Sequence, residues 1–241
     1  MTFGPQSAAR RVLAIDDDPI SLAIAAVLLE AEGCIVLQAG SGEEALAALE
    51  AESSPPDCIL ADLRMPSLSG TDLAVRLRAA APGSLLLAMS ATPPPHVDGY
   101  DGVLRKPLSP DGLRIAFSGI GHAREEAQDD SEASEAVVDP AVFERLRRAM
   151  TPVALEEVVS AFLLDTVHRI DAMRSADPQT VTRQAHTVRG GAAMVGAVQV
   201  SVVAAMIEAG IDHESERLRK LDELETHLRR AEQILKQRLS A

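Results

Sequence analysis

Over the first 120 residues, short apolar runs alternate with stretches in which apolar positions recur every three or four residues. The runs at 12–15, 34–38, 58–61, 85–89 and 103–104 are almost continuously apolar, the pattern of strands buried on both faces. The intervening periodicity predicts helices over 19–32 (closed by Gly33), 42–50 and 71–80. Ser41 with Glu44 forms a capping box at the second of these, and Ser109-Pro110-Asp111 is a start signal for a last helix. Alternation of this kind predicts an α/β fold, a doubly wound five-stranded parallel sheet with helices on both faces. In such sheets ligands collect beyond the carboxyl ends of the strands.

The pattern changes after residue 121. Residues 122–137 have no apolar periodicity and read as an acidic linker. Asp139-Pro140 marks a helix start, and all that follows is helical. Leu155, Val159, Phe162, Thr166, Ile170 and Met173 share one face, interrupted only by the polar Thr166. Leu218, Leu221, Leu224, Leu228, Ala231, Leu235 and Leu239 form a second stripe, read as bundle core rather than as a dimerising coiled coil. The expected organisation is an α/β domain over 1–121, a linker over 122–137 and an all-α bundle of four or five helices over 138–241.

Composition alters this picture little. With four Phe, one Tyr and no Trp, the cores must be built from aliphatic side chains. Cys34 and Cys58 both lie in apolar strand-like runs, which argues against a disulfide framework and is compatible with a reducing compartment. No apolar run approaches the roughly 18 residues of a membrane helix. The stretch after Arg10-Arg11 is too short for a signal peptide, so a cytoplasmic protein is expected. The net charge of −13 is spread as −7 over 1–121, −5 over 122–137 and −1 beyond. No basic patch stands out to neutralise phosphates, which disfavours nucleic acid as a partner.

The candidate chemistry lies where the strands end. Asp16 and Asp17 follow the first strand, Asp62 the third, Ser90 the fourth and Lys106 the fifth. In a parallel sheet these positions share one edge. Carboxylates crowded together repel one another unless a cation intervenes, and all-oxygen ligation suits Mg²⁺. A carboxylate is also a competent nucleophile toward phosphorus, and phosphoryl transfer needs positioning and charge neutralisation above all.

These residues resemble the receiver domain of two-component response regulators. The resemblance is carried by VLAIDDDP at 12–19, PDCILADLRMPSLSG at 56–70, LLLAMSA at 85–91 and GVLRKP at 102–107. It implies that Asp62 is a phosphoacceptor and that Asp16, Asp17, Asp62 and the Arg64 backbone carbonyl hold Mg²⁺. Ser90 and Lys106 take the positions that sense the phosphoryl group. Asp18 is expected to be a solvated acid in the first helical turn. The chain departs from the family pattern in two ways. Val103 stands where receivers usually carry an aromatic, with Tyr100 nearby but out of register. Lys106 follows Ser90 by only 16 positions, and Pro93, Pro94 and Pro95 occupy the interval. Each proline costs a helix interior about 3 kcal/mol, so the fourth helix is expected to be absent or reduced to a turn.

In the second half, Val181, Ala185, Val188, Ala192 and Val195 form a core stripe that leaves His186 on the polar side of its helix, facing solvent. Gly190 and Gly191 each cost a helix about 1 kcal/mol relative to Ala, and clearance is the gain that explains them: with no side chain at Gly190, another protein's surface can approach the imidazole closely. AHTVRGGAAMVGA at 185–197 resembles the histidine phosphotransfer (HPt) module, as do DPAVFERL at 139–146 and LEEVVSAFLLDT at 155–166. The resemblance implies His186 as a second phosphoacceptor, with Arg189, where a lysine is usual, neutralising its phosphate. His96, His122, His168, His213 and His227 have no comparable surroundings and suggest no metal site.

The expected function is that of a phosphorelay signalling protein rather than an enzyme with its own substrate, without an output domain. Its expected partners are a sensor histidine kinase and another receiver. Two other classes compete: an adapter whose atypical receiver only binds, and a haloacid dehalogenase-like phosphatase opening on Asp16-x-Asp18. In the latter, Pro19-Ile20 fits poorly and Asp62 gains no role. Nothing in the sequence gives the oligomeric state or the direction of transfer.

Overall fold

The computed structural model describes residues 9–66, 68–94, 96–117, 136–211 and 213–240. The chain separates into two compact units, Met1–Ala123 and Arg124–Ala241. The expected acidic linker, apart from residues 136 and 137, lies outside the described residues.

In the first unit the strands are β1 (Arg11–Ile15), β2 (Ile35–Ala39), β3 (Cys58–Asp62), β4 (Leu85–Ser90) and β5 (Gly102–Arg105). They form one parallel sheet in the order β2-β1-β3-β4-β5. Leu13, Ile59 and Leu86 lie opposite one another across β1, β3 and β4. They are packed with Leu73, Ala74 and Leu77 of α3 (Gly70–Ala80) and Ala45 of α2 (Gly42–Ala51). Val12, Ala14 and Leu60, which alternate with them, are equally buried, so both faces of the sheet are covered. A doubly wound sheet with the order reversal between β1 and β3 places the strand ends Asp16, Asp62, Ser90 and Lys106 on one edge.

Local chemistry sets the helix starts. Ser41 accepts a bond from the Glu44 amide at 3.1 Å, and Glu44 Oε2 accepts from the Gly40 amide at 2.7 Å, a box shifted one residue upstream. Asp18 caps α1 (Pro19–Ala31), its Oδ2 accepting from both the amide and the hydroxyl of Ser21. It is therefore buried rather than solvated, because the cap turns its carboxylate inward. After β4 the described residues up to β5 contain no helix, as the prolines require, and α4 (Pro110–Phe117) completes the unit. Tyr100, from this irregular segment, is 6% exposed within the core against α3, with Val103 packed alongside. The Tyr100 hydroxyl donates to the Gly70 carbonyl at 3.3 Å. Arg78 on α3 ties down the same segment through Asp101 at 2.9 Å and the Gly99 carbonyl at 3.3 Å.

The second unit contains α5 (Pro140–Ala149), α6 (Pro152–Ser175), α7 (Pro178–Val195), α8 (Val198–Glu208) and α9 (Glu214–Leu239) among the described residues. Both predicted stripes face inward. On α6 even Thr166 is buried with its apolar neighbours, and on α9 Leu221, Leu224, Leu228, Ala231 and Leu235 are buried, with Leu218 and Leu239 half-buried at the ends. Arg169 links α6 to Gln184 of α7 at 2.6 Å, and Arg174 links α6 to Asp222 and Glu225 of α9 at 2.8 and 2.9 Å. Gly196 ends α7 at φ 78°, and a Cβ there would lie 3.0 Å from Val142, so the cap and the seat of α5 both need glycine. No helix among the described residues is long and apolar enough to cross a membrane.

Candidate functional site

At the sheet edge Lys106, buried, donates from Nζ to Asp16 Oδ2 at 2.5 Å and also to Asp62 Oδ2. Three of the predicted residues, from the ends of β1, β3 and β5, thus meet at one ammonium. The Asp62 carboxylate is held from its other side, where Oδ1 accepts the Arg64 amide at 2.9 Å. Asp16 Oδ1 accepts the Asp18 amide at 3.1 Å. Ser90 adjoins them at the end of β4, where its carbonyl accepts the Lys106 amide at 2.9 Å. Its hydroxyl is engaged locally, donating to the Thr92 carbonyl at 3.1 Å and accepting the Thr92 amide at 3.2 Å. It is beside the pocket but not bonded into it.

The electrostatics follow from burial. Desolvation drives Asp16 up to about 7; Lys106 opposes the shift and the Asp62 charge adds to it. Asp17, half-buried, is raised by desolvation and then by Asp62. Burial alone would lower Lys106, yet the charges of Asp16 and Asp62 raise it above the ordinary lysine value. Tyr100 is pushed up to about 12, by burial first and then by Asp62.

Among the described residues no group of three or more His, Cys, Asp or Glu side chains stands in position to hold a metal ion; Asp16 and Asp62 are turned onto Lys106 instead. The donor set nevertheless fits a hard divalent cation. It is all oxygen, and the charge of Asp62 adds to the rise of both Asp16 and Asp17, for which burial is the larger cause.

On α7, His186 is not the solvent-facing residue expected from that helix alone. Its side chain is 17% exposed, because α8 packs beside it and supplies Glu208. Nδ1 of His186 lies 2.9 Å from Glu208 Oε1, and Arg189 Nη1 donates to Glu208 Oε2 at 2.6 Å. Arg189 therefore meets a carboxylate rather than standing beside an open imidazole edge. The Ser201 hydroxyl of α8 reaches the Arg189 carbonyl at 3.3 Å, so the two helices run close at the glycines. Gly191 is buried and Gly190 half-buried, which attributes the Gly191 clearance to packing rather than to an incoming surface. Of the remaining histidines, His96 pairs with Asp98 at 3.1 Å on the surface, and His168 and His213 are exposed. His227, expected on the surface, is half-buried with Nδ1 shut away from any partner, and His122 lies outside the described residues.

Sequence reasoning missed Glu208. The available signal was an acid in the last turn of an otherwise uncharged helix, where the helix dipole disfavours it unless a cation is at hand.

Comparison with known proteins gives two family matches. The response regulator receiver domain matches residues 12–118, and the Hpt domain matches residues 123–237. The virulence sensor protein BvgS of Bordetella pertussis is 29% identical, with 78% of this chain and 17% of that protein covered. The sensor histidine kinase GacS of Pseudomonas protegens is 26% identical over 91% of this chain and 26% of that protein. The probable transcriptional regulatory protein TcrX of Mycobacterium tuberculosis is 35% identical over 33% of each. The chain thus spans a third or less of the length of these curated relatives. Among solved structures, chemotaxis protein CheY4 of Vibrio cholerae is 26% identical, covering 46% of this chain and 98% of that chain, with a TM-score of 0.42.

Proposed function

The chain belongs to the two-component signalling families, as a response-regulator receiver domain followed by an Hpt domain, and on that premise we propose that it carries phosphoryl groups at two stations, Asp62 and His186. The observation that carries the first station is the convergence of Lys106 on Asp16 and Asp62, with the Arg64 amide fixing the far oxygen of Asp62. A carboxylate so held cannot rotate away from an incoming phosphorus. An Asp62 oxygen attacks in line, a P–O bond forms, and the bond to the leaving group breaks with its electron pair departing on that group. Lys106 stays with the pocket and offsets charge on the phosphoryl oxygens. The Ser90 hydroxyl reaches one of those oxygens by giving up its turn with Thr92. Asp16, Asp17, Asp62 and the Arg64 carbonyl would hold Mg²⁺, which when bound neutralises the phosphoryl oxygens and the crowded carboxylates.

The second station is the imidazole of His186, anchored through Nδ1 and flanked by Arg189 and the half-buried Gly190. It would take a phosphoryl group from the aspartyl phosphate of a receiver and pass it on to another. A sensor histidine kinase is the partner that supplies the first group. The chain acts in this reading as a carrier, not as an enzyme with a substrate of its own.

Acid and base lability separate the two stations. Incubated with Mg²⁺ and a small acyl phosphate, the chain should gain base-labile label that Asp62→Ala abolishes. Mixed with a phosphorylated receiver, it should gain acid-labile label that His186→Ala abolishes. Label on neither residue would leave an adapter, and label on Asp16 a phosphatase-like enzyme.

A further inference from the structure

We propose that the corner of the helical unit where α7, α8 and α9 meet is a binding site for a short-chain monocarboxylate, of the size of acetate or propionate, held by Arg217. A cavity of about 40 Å³ opens there, lined by Val181 and Thr182 of α7, Ile207 of α8, Gly210 and Ile211 of the turn that follows, and Arg217 in the first turn of α9. Val181 and Ile207 are buried and form an apolar floor, whereas Thr182 and Gly210 are exposed, so one side faces solvent. At roughly 10–15 Å³ per water the space takes about three waters, or a carboxylate with one or two carbons behind it.

The charge in this wall is poorly matched. The Arg217 side chain is 15% exposed, and its Nη1 donates to the Ala176 carbonyl at 3.3 Å, a strut to the α6–α7 corner that uses one donor of the guanidinium. Nε is shut away with no acceptor. Among the described residues the carboxylate it meets is that of Glu214, 4.0 Å from Nη2, beyond hydrogen-bond reach and 77% exposed. A mostly buried cation normally has a close partner. This one faces an apolar-walled space instead. A carboxylate entering it meets Nη2 first, and a small turn of the guanidinium brings Nε to the second oxygen, the bidentate pairing that a guanidinium favours. The walls select the rest of the ligand. Val181, Ile207 and Ile211 offer no side-chain donor, and the Thr182 hydroxyl already donates to the Pro178 carbonyl at 3.1 Å. Phosphate would leave oxygens unpaired against that floor, whereas a methyl or ethyl group gains by burial there. The site stands apart from the phosphoacceptor reading, although Thr182 precedes His186 by one turn of α7.

Methyl spectra of the full chain, labelled with ¹³C at the isoleucine δ1 carbons, test it at neutral pH and constant ionic strength. Ile207 and Ile211 are assigned by their loss in Ile207→Val and Ile211→Val. Propionate should shift both signals saturably, with a Kd on the order of 1 mM, the range open to so small a ligand. Ile24 and Ile59 of the receiver should stay in place. Propionamide, which has the same shape without the charge, should bind at least about tenfold more weakly, and so should inorganic phosphate. Arg217→Met should weaken propionate by a similar factor. No shift at either methyl in about 20 mM propionate, well above that Kd, would overturn the proposal. Equal binding of propionamide would remove the guanidinium from the site, and equal binding of phosphate would reduce the site to a surface cation; either result overturns it. So would an Arg217→Met chain that binds propionate as the wild type does. The three-ligand comparison uses the wild-type chain, so it decides the matter even if Arg217→Met disturbs the fold.

Discussion

Replacing Lys106 by methionine isolates the electrostatics of the sheet edge. The substitution keeps the length of the aliphatic stem and removes one ammonium that two buried carboxylates share. Breaking a buried charge pair from one side costs about 3–5 kcal/mol, because the remaining charge is left without a partner. At roughly 4 °C per kcal/mol for a unit of this size, the receiver should melt about 12–20 °C lower at pH 8 without divalent cation. The chain supplies its own probe. Tyr100 is its single tyrosine, no tryptophan masks it, and it is buried against α3, so tyrosine fluorescence reports this unit alone. The second arm is Asp16→Asn in the Lys106→Met background, which removes the carboxylate that burial already drives up to about 7. It should recover part of the loss, a non-additive pair of the kind expected for groups in contact. A drop of less than about 1 kcal/mol in Lys106→Met would refute the reasoning, since single changes without a specific mechanism fall in that range. So would a second substitution that adds to the loss.

Three further outcomes follow from other parts of the structure. Asp16 has a folded-state pKa above its unfolded value of 3.8, so the folded receiver binds more protons than the unfolded chain between about 4 and 7. Its stability in a chelating buffer should therefore fall as pH rises through that window, less steeply in Asp16→Asn; a wild-type stability that rises through it contradicts the assignment. Burial raises the Cys58 thiol far more than that of Cys34, so a thiol reagent at pH 8 should label Cys34 slowly and Cys58 only on unfolding. Leu224→Ala on α9 should destabilise the bundle by about 2–5 kcal/mol without altering the oligomeric state, as a core residue does. Dissociation of a dimer instead would return that stripe to a coiled coil.

The sheet and its edge were legible because the relevant signals are local. Continuous apolar runs marked each strand, and the first, third and fourth runs led directly into site residues, with Lys106 two positions past the fifth. The strands' ends were misplaced by a residue or so, since Asp62 and Ser90 still pair within the ladder while the apolar pattern stops before them. That the described residues between β4 and β5 form no helix was equally readable from the three prolines. What escaped were side chains whose partners come from another element. Asp18 looked solvated, but as the cap of α1 it turns inward to Ser21. Tyr100 is out of register as expected, ahead of β5, but its burial in the core was not foreseen, because an irregular segment is free to return its ring there. On α7 the periodicity fixed the buried stripe correctly and then assigned the opposite side to water, because one helix's pattern does not show where α8 passes. His186, Arg189 and Glu208 are joined by that passage alone.

The central claim is that this chain holds phosphoryl groups on Asp62 and on His186. The most direct measurement is site localisation in the full chain after phosphorylation in the presence of Mg²⁺. Borohydride reduction would convert an aspartyl phosphate to homoserine, and peptide mass mapping under mildly basic conditions would preserve phosphohistidine. The account predicts homoserine at position 62 and phosphate at position 186, with every other Asp and His unmodified. Homoserine at position 16, or no modification at both positions 62 and 186, would contradict it.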